Sequence, residues 1–270
     1  MVLTVRRSLG DRASQHKSDE ETFLGVSRAA IFRLVKPSPD QRGGLERFAR
    51  MGLSGNPFRV VPPAEIPGLY APPLDGQGPS AADIARSGAR CVQILGREGF
   101  GKSILLATVG GLLEDEGLCC ERRYLPPHHD GIFVEPRGGV DVLLLDEAQR
   151  LTRKARRAAR LWYDDGGQRR LVMTTHEDLR RAFGRELESL EIPAADAAAI
   201  DRVFRRRIEF SGGDSESIRL SPRGARWLES ECGGCLRRVE EFCYELFQAI
   251  EATREIVIDD GLLRGLGRRS

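Results

Sequence analysis

Residues 96–103 read Gly-Arg-Glu-Gly-Phe-Gly-Lys-Ser and follow the apolar run Cys-Val-Gln-Ile-Leu at 91–95. Gly96, Gly99 and Gly101 let the chain curl until successive backbone N–H groups point inward, which makes a cradle for phosphate oxygens. Lys102 has the reach and charge for the β- and γ-phosphates of a nucleoside triphosphate, and the Ser103 hydroxyl suits a Mg²⁺ ion. Arg97, Glu98, Phe100 and Ile104 supply the remaining nucleotide-binding positions of the loop and its exit. The run Ile104–Leu113 is apolar and compatible with a helix, whose N-terminus brings partial positive charge beneath the phosphates. A Gly-rich turn of this kind also arises without a ligand. The strand before it and the helix after it are what make it a phosphate loop.

A second stretch, Val-Asp-Val-Leu-Leu-Leu-Asp-Glu at 140–147, is an apolar run ending in two acids. Such a run suits a strand covered on both faces of a parallel sheet, and the C-terminal ends of those strands are where ligands bind. Asp146 is placed to hold Mg²⁺ through water, and Glu147 to act as general base on an attacking water. A third strand candidate, Leu171–Thr175, ends in hydroxyls followed by His176. Its polar tip is positioned to orient the attacking water or sense the γ-phosphate. Thr175 is the first choice for that role and Thr174 the second. Arg185 is the candidate for a finger reaching a neighbouring subunit's γ-phosphate, with Arg180 and Arg181 as competitors. Arg237, at the start of the last long helix, is placed to fold over the nucleotide, with Arg238 as the alternative.

The elements that must position these residues alternate. Strands are expected near 91–95, 120–125, 141–146, 170–175 and 188–193, with helical stretches between, the pattern of a parallel sheet with crossover helices. From about 196 the chain turns helical, at Asp196–Ile208, Ser221–Ser230 and Leu236–Ala252. The expected organisation is a flexible or helical arm at 1–45 and a Pro-rich extension at 46–88. An α/β nucleotide-binding domain follows at 89–194, then a helical lid at 195–252 and a basic tail at 253–270. Residues 150–160 carry Arg150, Arg153, Lys154, Arg156, Arg157 and Arg160 with no acid among them. At 100° per residue these fall opposite Leu151, Ala155, Ala158, Ala159 and Trp162, giving a cationic helix face able to meet nucleic-acid phosphates.

Composition narrows the classes further. With 42 basic and 40 acidic residues, the net charge of +2 is no argument for a polyanionic partner by itself. All but Lys17, Lys36, Lys102 and Lys154 of the basic residues are Arg, so an arginine cluster means less here than elsewhere. No apolar stretch reaches membrane-spanning length, and the N-terminal apolar run is too short for a signal peptide, so a cytoplasmic protein without a membrane partner is expected. Cys232-Gly-Gly-Cys235 has the spacing of a redox or half-zinc site. No second such pair follows, and packed, reduced thiols are the simpler reading.

Taken together, these residues resemble an AAA+ ATPase over roughly residues 89–250. Gly96–Ser103 is similar to the Walker A motif and Leu143–Glu147 to Walker B. Thr175 then stands as sensor 1, Arg185 as arginine finger and Arg237 as sensor 2. Asp146-Glu147-Ala148-Gln149 and Gly52-Leu53-Ser54-Gly55-Asn56-Pro57-Phe58 resemble bacterial ATPases of the ExeA, TniB and TnsC type. The resemblance implies a P-loop three-layer parallel sheet with a small C-terminal helical lid, the cofactors ATP and Mg²⁺, and ATP hydrolysis coupled to homo-oligomeric assembly. It also implies double-stranded DNA and a transposase as partners. The alternative is a switch of the same class acting on another protein without DNA.

Overall fold

The structure is a computed structural model and describes residues 41–61, 63–73, 78–127, 131–165, 167–184, 186–250 and 255–267. The expected arm at 1–45 therefore lies outside the described residues up to position 40. Five strands form one parallel sheet: β1 (Cys91–Leu95), β2 (Cys120–Tyr124), β3 (Val142–Asp146), β4 (Arg170–Thr175) and β5 (Leu187–Glu191), in the order β2-β3-β4-β1-β5. The composition of each strand follows its place. The inner strands β1, β3 and β4 have neighbours on both edges and are almost wholly buried. The outer strands β2 and β5 carry Glu121, Arg122, Arg123, Glu188 and Glu191 on partly exposed surface.

The two-residue period of the strands sorts the core into two layers. Val92, Ile94, Val142, Leu144 and Val172 pack against α2 (Ala81–Arg86) and α3 (Lys102–Asp115). Cys91, Leu143, Leu145, Leu171 and Met173 pack against α4 (Arg153–Asp165) and α5 (Arg180–Phe183), where Ala155, Ala159 and Trp162 turn inward. Helices on both faces of a parallel sheet give the expected three-layer α/β architecture, and the chain has the P-loop NTPase fold.

The lid is built from α6 (Ala197–Phe210), α7 (Pro222–Cys232) and α8 (Leu236–Ala249). The side chains of Asp196 and Ser221 accept from Ala199 N and Gly224 N, capping α6 and α7. Arg207 on α6, only 5% exposed, donates from Nε to Glu240 on α8 at 2.9 Å. The lid core also takes Phe48 from α1 (Gln41–Arg50) and Met51, Leu53 and Phe58 beyond it. Phe58, Phe204 and Phe247 meet with ring centroids 5.5–6.1 Å apart. Asn56 accepts from Phe58 N at 3.0 Å and donates to Tyr244 O at 3.0 Å. The segment Gly52–Phe58 thus ties the lead-in to the lid.

Residues 253–270 were expected as a basic tail. Instead, β7 (Ile256–Ile258) pairs in parallel with β6 (Ile218–Leu220), and α9 (Asp260–Gly267) buries Leu263 completely in the lid core. Three-residue strands, with Ile218, Leu220, Ile256 and Ile258 inward and Arg219 and Val257 outward, are too short to announce a period in sequence.

Candidate active site

The loop leaving β1 turns through Gly99 (φ 80°) and Gly101 (φ 87°), left-handed conformations that favour glycine. Gly101 caps α3 and accepts from Ile104 N and Leu105 N at 3.1 and 3.0 Å. The N–H groups of Lys102 and Ser103 precede these first intrahelical bonds, so they belong to the set a helix N-terminus offers to an anion. Lys102 is 5% exposed. Its ammonium donates to Gly96 O at 2.8 Å and Arg97 O at 2.7 Å and lies 3.2 Å from His176 Nδ1. Desolvation holds its pKa below the usual lysine range, against the opposing pull of Glu147, Asp146 and Glu98. A buried ammonium whose contacts are carbonyls and an imidazole, beside a helix N-terminus, fits a bound phosphate.

Across from the loop, Asp146 ends β3 at 3% exposure and accepts from Ser103 Oγ at 3.1 Å and Thr174 Oγ1 at 2.5 Å. Arg122 of β2 stands 3.6 Å from its other oxygen. Thr174 Oγ1 in turn accepts from Glu147 N at 2.9 Å. The hydroxyl that joins the acid cluster is therefore that of Thr174, not of Thr175. Val172 and Thr174 face α3, as do Leu144 and Asp146 on the neighbouring strand. Thr175 points to the other face, where its hydroxyl donates to Glu177 O at 2.7 Å and accepts from Glu177 N at 3.0 Å.

Among the described residues Glu147 is the one non-glycine with positive φ, 67°. The bend turns its carboxylate back over the sheet's end. There it accepts from Gln149 Nε2 at 2.7 Å and pairs with Arg150 at 3.0 Å, and His176 Nε2 lies 3.2 Å away. With the Lys102 ammonium donating to Nδ1, the His176 tautomer consistent with both contacts carries its proton on Nε2 and donates to Glu147. Lys102, His176 and Glu147 thus form a continuous hydrogen-bonded chain beneath the phosphate loop. Arg150 does not join the cationic face to which helical periodicity assigns it. It sits in a 3-10 turn, Ala148–Arg150, ahead of α4 and turns inward. Arg156 is also half-buried, donating to Gln149 O at 2.6 Å.

The lid closes the other side. Arg237 N donates to Gly99 O at 3.1 Å, and the Arg237 guanidinium pairs with Glu98, lowering that carboxyl's pKa. A cavity of about 780 Å³ runs from the loop to the lid, within the range of small-molecule sites. Lys102, Ser103, Glu147 and Arg237 are among its polar lining residues. Leu69, Tyr70, Ile192, Ala199 and Val203 are among its apolar lining residues. The wall from the Pro-rich lead-in, Leu69 to Pro73, goes unmarked in the sequence because apolar shape contacts carry no motif. His176 escapes assignment to the site for a related reason, since its place depends on register between strands, and Arg150 escapes because a 3-10 turn replaces the helical period there. Arg180 pairs with Asp178 at 2.6 Å, Arg181 lies beside α4, and Arg238 is exposed; Arg185 lies outside the described residues.

Ser103 and Asp146 could hold a Mg²⁺ ion whose remaining ligands are waters and phosphate oxygens, the ordinary arrangement for that ion. Among the described residues no cluster of three acidic, His or Cys side chains could hold a metal by itself. The cradle at Gly99 yields a direct test. A Cβ there would lie 2.6 Å from Cys235 Sγ and 3.0 Å from Arg237 Cβ, on a backbone that costs an L-residue about 1–2 kcal/mol. Gly99→Ala is expected to lower the melting temperature and push the lid from the loop, read as weaker nucleotide binding in a titration; unchanged values for both would contradict the close packing.

No family model matches the chain, and no curated protein matches it. Solved structures do. One RuvB structure from Thermotoga maritima superposes with TM-score 0.51 at 17% identity, covering 70% of this chain and 64% of RuvB. A second gives 0.50 at 16% identity, covering 67% and 61%. Domain III of the Thermotoga maritima replication initiation protein DnaA gives 0.49 at 18% identity, covering 86% of this chain and 97% of that domain. This chain thus spans about 61–66% of the RuvB chains it matches. At these identities the likeness shows a shared fold, the parallel α/β sheet of a P-loop NTPase. Among the described residues no helix is long and apolar enough to cross a membrane.

Proposed function

We propose that this chain binds ATP with Mg²⁺, hydrolyses it, and works as a nucleotide-dependent oligomeric switch acting on DNA in the manner of a transposition regulator. The observation that carries the reading is the convergence of Lys102, Ser103, Glu147 and Arg237 on one cavity, with Asp146 accepting a hydrogen bond from Ser103. Lys102 and the N–H groups of the loop bind the phosphates, and Ser103 and Asp146 hold the metal, which supplies charge neutralisation at the phosphate oxygens when bound. Glu147 takes the proton of the attacking water, with Thr174 and His176 holding it in place. Arg237 reports from the lid. Arg185 of one subunit is the finger that completes a neighbour's site, so mass should rise when an ATP analogue is added. A strictly monomeric chain would remove that part of the reading.

For DNA, the support is the exposed face of α4. Arg153, Lys154 and Arg157 are exposed there, and with Arg181 they border a groove of about 840 Å³ whose one acid among the described residues is Asp164. Resemblance of Gly52–Phe58 and Asp146–Gln149 to transposition ATPases points the same way. With ATP analogue present, replacing both Arg153 and Arg157 by Ala is expected to weaken duplex binding across sequences. The slope of log affinity against log salt should flatten by about 2, one for each phosphate no longer neutralised. If wild type binds no duplex in any nucleotide state, the DNA role falls and a protein partner takes its place.

A further inference from the structure

We propose that Cys232 and Cys235 form a reversible disulfide that sets the affinity of the phosphate loop for nucleotide, a regulation that rests on the nucleotide-site reading above. The turn between the two helices places the two thiols for it. Cys232 is the last residue of α7 and Cys235 precedes α8, and between them Gly233 (φ 61°) and Gly234 (φ 68°) are both left-handed. Cys235 N donates to Cys232 O at 3.1 Å, closing a four-residue turn. Such a turn brings its end Cα atoms within about 7 Å, and a disulfide needs about 4.4–6.8 Å. Burial raises the Cys232 pKa, and the neighbouring Cys235 thiol adds to the rise, as expected of two sulfurs close enough to sense each other. The side chain at Gly234 is excluded because a Cβ there would meet Ala195 O and Ala194 Cβ at 2.8 Å, so the turn is held against the start of the lid.

The second half of the argument is where Cys235 points. Its side chain caps no N–H of α8. Instead Sγ lies 3.7 Å from Glu98 O and packs against Gly99, where a Cβ would approach it to 2.6 Å. Two residues on, Arg237 N holds Gly99 O. The thiol is therefore part of the seam between lid and phosphate loop. Its partner Cys232 is 4% exposed on the lid side of that seam.

The chemistry balances with a small-molecule disulfide as oxidant. The Cys235 thiolate attacks one sulfur of that disulfide, expelling a thiolate and leaving a mixed disulfide. The Cys232 thiolate then attacks Cys235 Sγ and expels the second small thiolate. The two protons lost by the cysteines end on the two released thiols, the protein pair is oxidised by two electrons, and the external disulfide is reduced. Bonding to Cys232 draws Sγ off Glu98 O and pulls the start of α8, with Arg237, away from Gly99. Mixed-disulfide formation at Cys235 alone would instead wedge bulk into the seam.

The test uses the full chain incubated with glutathione disulfide, read by peptide mass spectrometry and by titration with a fluorescent ATP analogue. The expected result is a Cys232–Cys235 cross-linked peptide lighter by two hydrogens, nucleotide binding about tenfold weaker, and recovery on adding dithiothreitol. Cys232→Ala, which keeps the buried lid position apolar, should stop at the mixed disulfide on Cys235. Protein that binds nucleotide equally before and after the cross-link forms overturns the regulation while leaving the nucleotide site standing. Protein that cross-links but binds no nucleotide even when reduced overturns it by removing the site beneath it. Free thiols at both positions after oxidation overturn the proposal outright.

Discussion

Lys102→Ala is expected to weaken ATP binding by about 150-fold, or ~3 kcal/mol, the upper part of the range for a hydrogen bond made by a charged group. The effect should fall on binding far more than on folding. The Lys102 ammonium is 5% exposed, and its hydrogen-bond partners among the described residues are the carbonyls of Gly96 and Arg97 and the His176 ring. Removing it forfeits those bonds but also relieves the cost of a desolvated charge, so the two changes oppose each other and the melting temperature should move little. A pH series separates the two roles. Desolvation lowers the Lys102 pKa, so between its lowered value and the ordinary lysine range the unfolded chain holds a proton the folded chain lacks, and stability rises with pH across that window. A phosphate opposite the ammonium favours the charged form. Nucleotide binding therefore takes up a proton there and weakens as pH climbs through the same window, and Lys102→Ala should flatten that dependence. Isothermal titration and thermal melts across pH read both. Wild-type affinity retained by the variant would mean the phosphates lie elsewhere.

The parts of this site legible in the sequence are those fixed by local chain geometry. Gly99 and Gly101 need left-handed backbone, Lys102 and Ser103 follow at a set distance, and a covered strand such as β3 runs apolar until it meets its two acids. The parts that were not legible depend on how distant segments register. Thr174 and Thr175 differ only in which face of β4 they occupy. That face is settled by pairing with β3, where Leu144 lies beside Val172 and Leu145 beside Met173. Parallel neighbours are far apart in sequence, so the pairing cannot be read from one strand alone. Arg150 shows the converse error: extending the helical period one turn too far puts it on the cationic face, whereas the chain spends a 3-10 turn there and delivers the guanidinium to Glu147.

The lid divides in the same way. Its three helices announce themselves through caps and apolar spacing, and the observed Ala197–Phe210, Pro222–Cys232 and Leu236–Ala249 lie close to the expected spans. The Pro-rich lead-in does not, because Leu69 and Tyr70 line the cavity from an irregular segment whose shape is set by what it packs on. Tyr70 is anchored by accepting from Ala81 N at 2.9 Å, a contact no local pattern encodes.

Glu147→Gln should leave nucleotide binding within a few-fold of wild type while slowing hydrolysis by about 10²–10⁴, the usual contribution of a general base. The substitution keeps size and the left-handed backbone at φ 67°, so Asp146 and Thr174 should stay in place. What changes is proton affinity, since an amide cannot accept the proton of the attacking water. The carboxylate is also the acceptor at the end of the Lys102–His176 chain and the anionic partner of Arg150. An amide oxygen can still accept from one of Gln149, Arg150 or His176, but its NH2 group then faces donors, so some loosening at Arg150 is expected. Because ATP would bind and persist, assemblies formed with ATP should last longer in the variant, read by light scattering alongside phosphate release. Glu147→Ala, which also frees Arg150, should match the hydrolysis defect without holding the same local geometry. Hydrolysis at the wild-type rate in the Gln variant would remove Glu147 as the base. The proton would then have to pass to another acceptor at the water, and His176 as bonded here is not that group, since its Nδ1 accepts from Lys102 and its Nε2 already carries a proton toward Glu147.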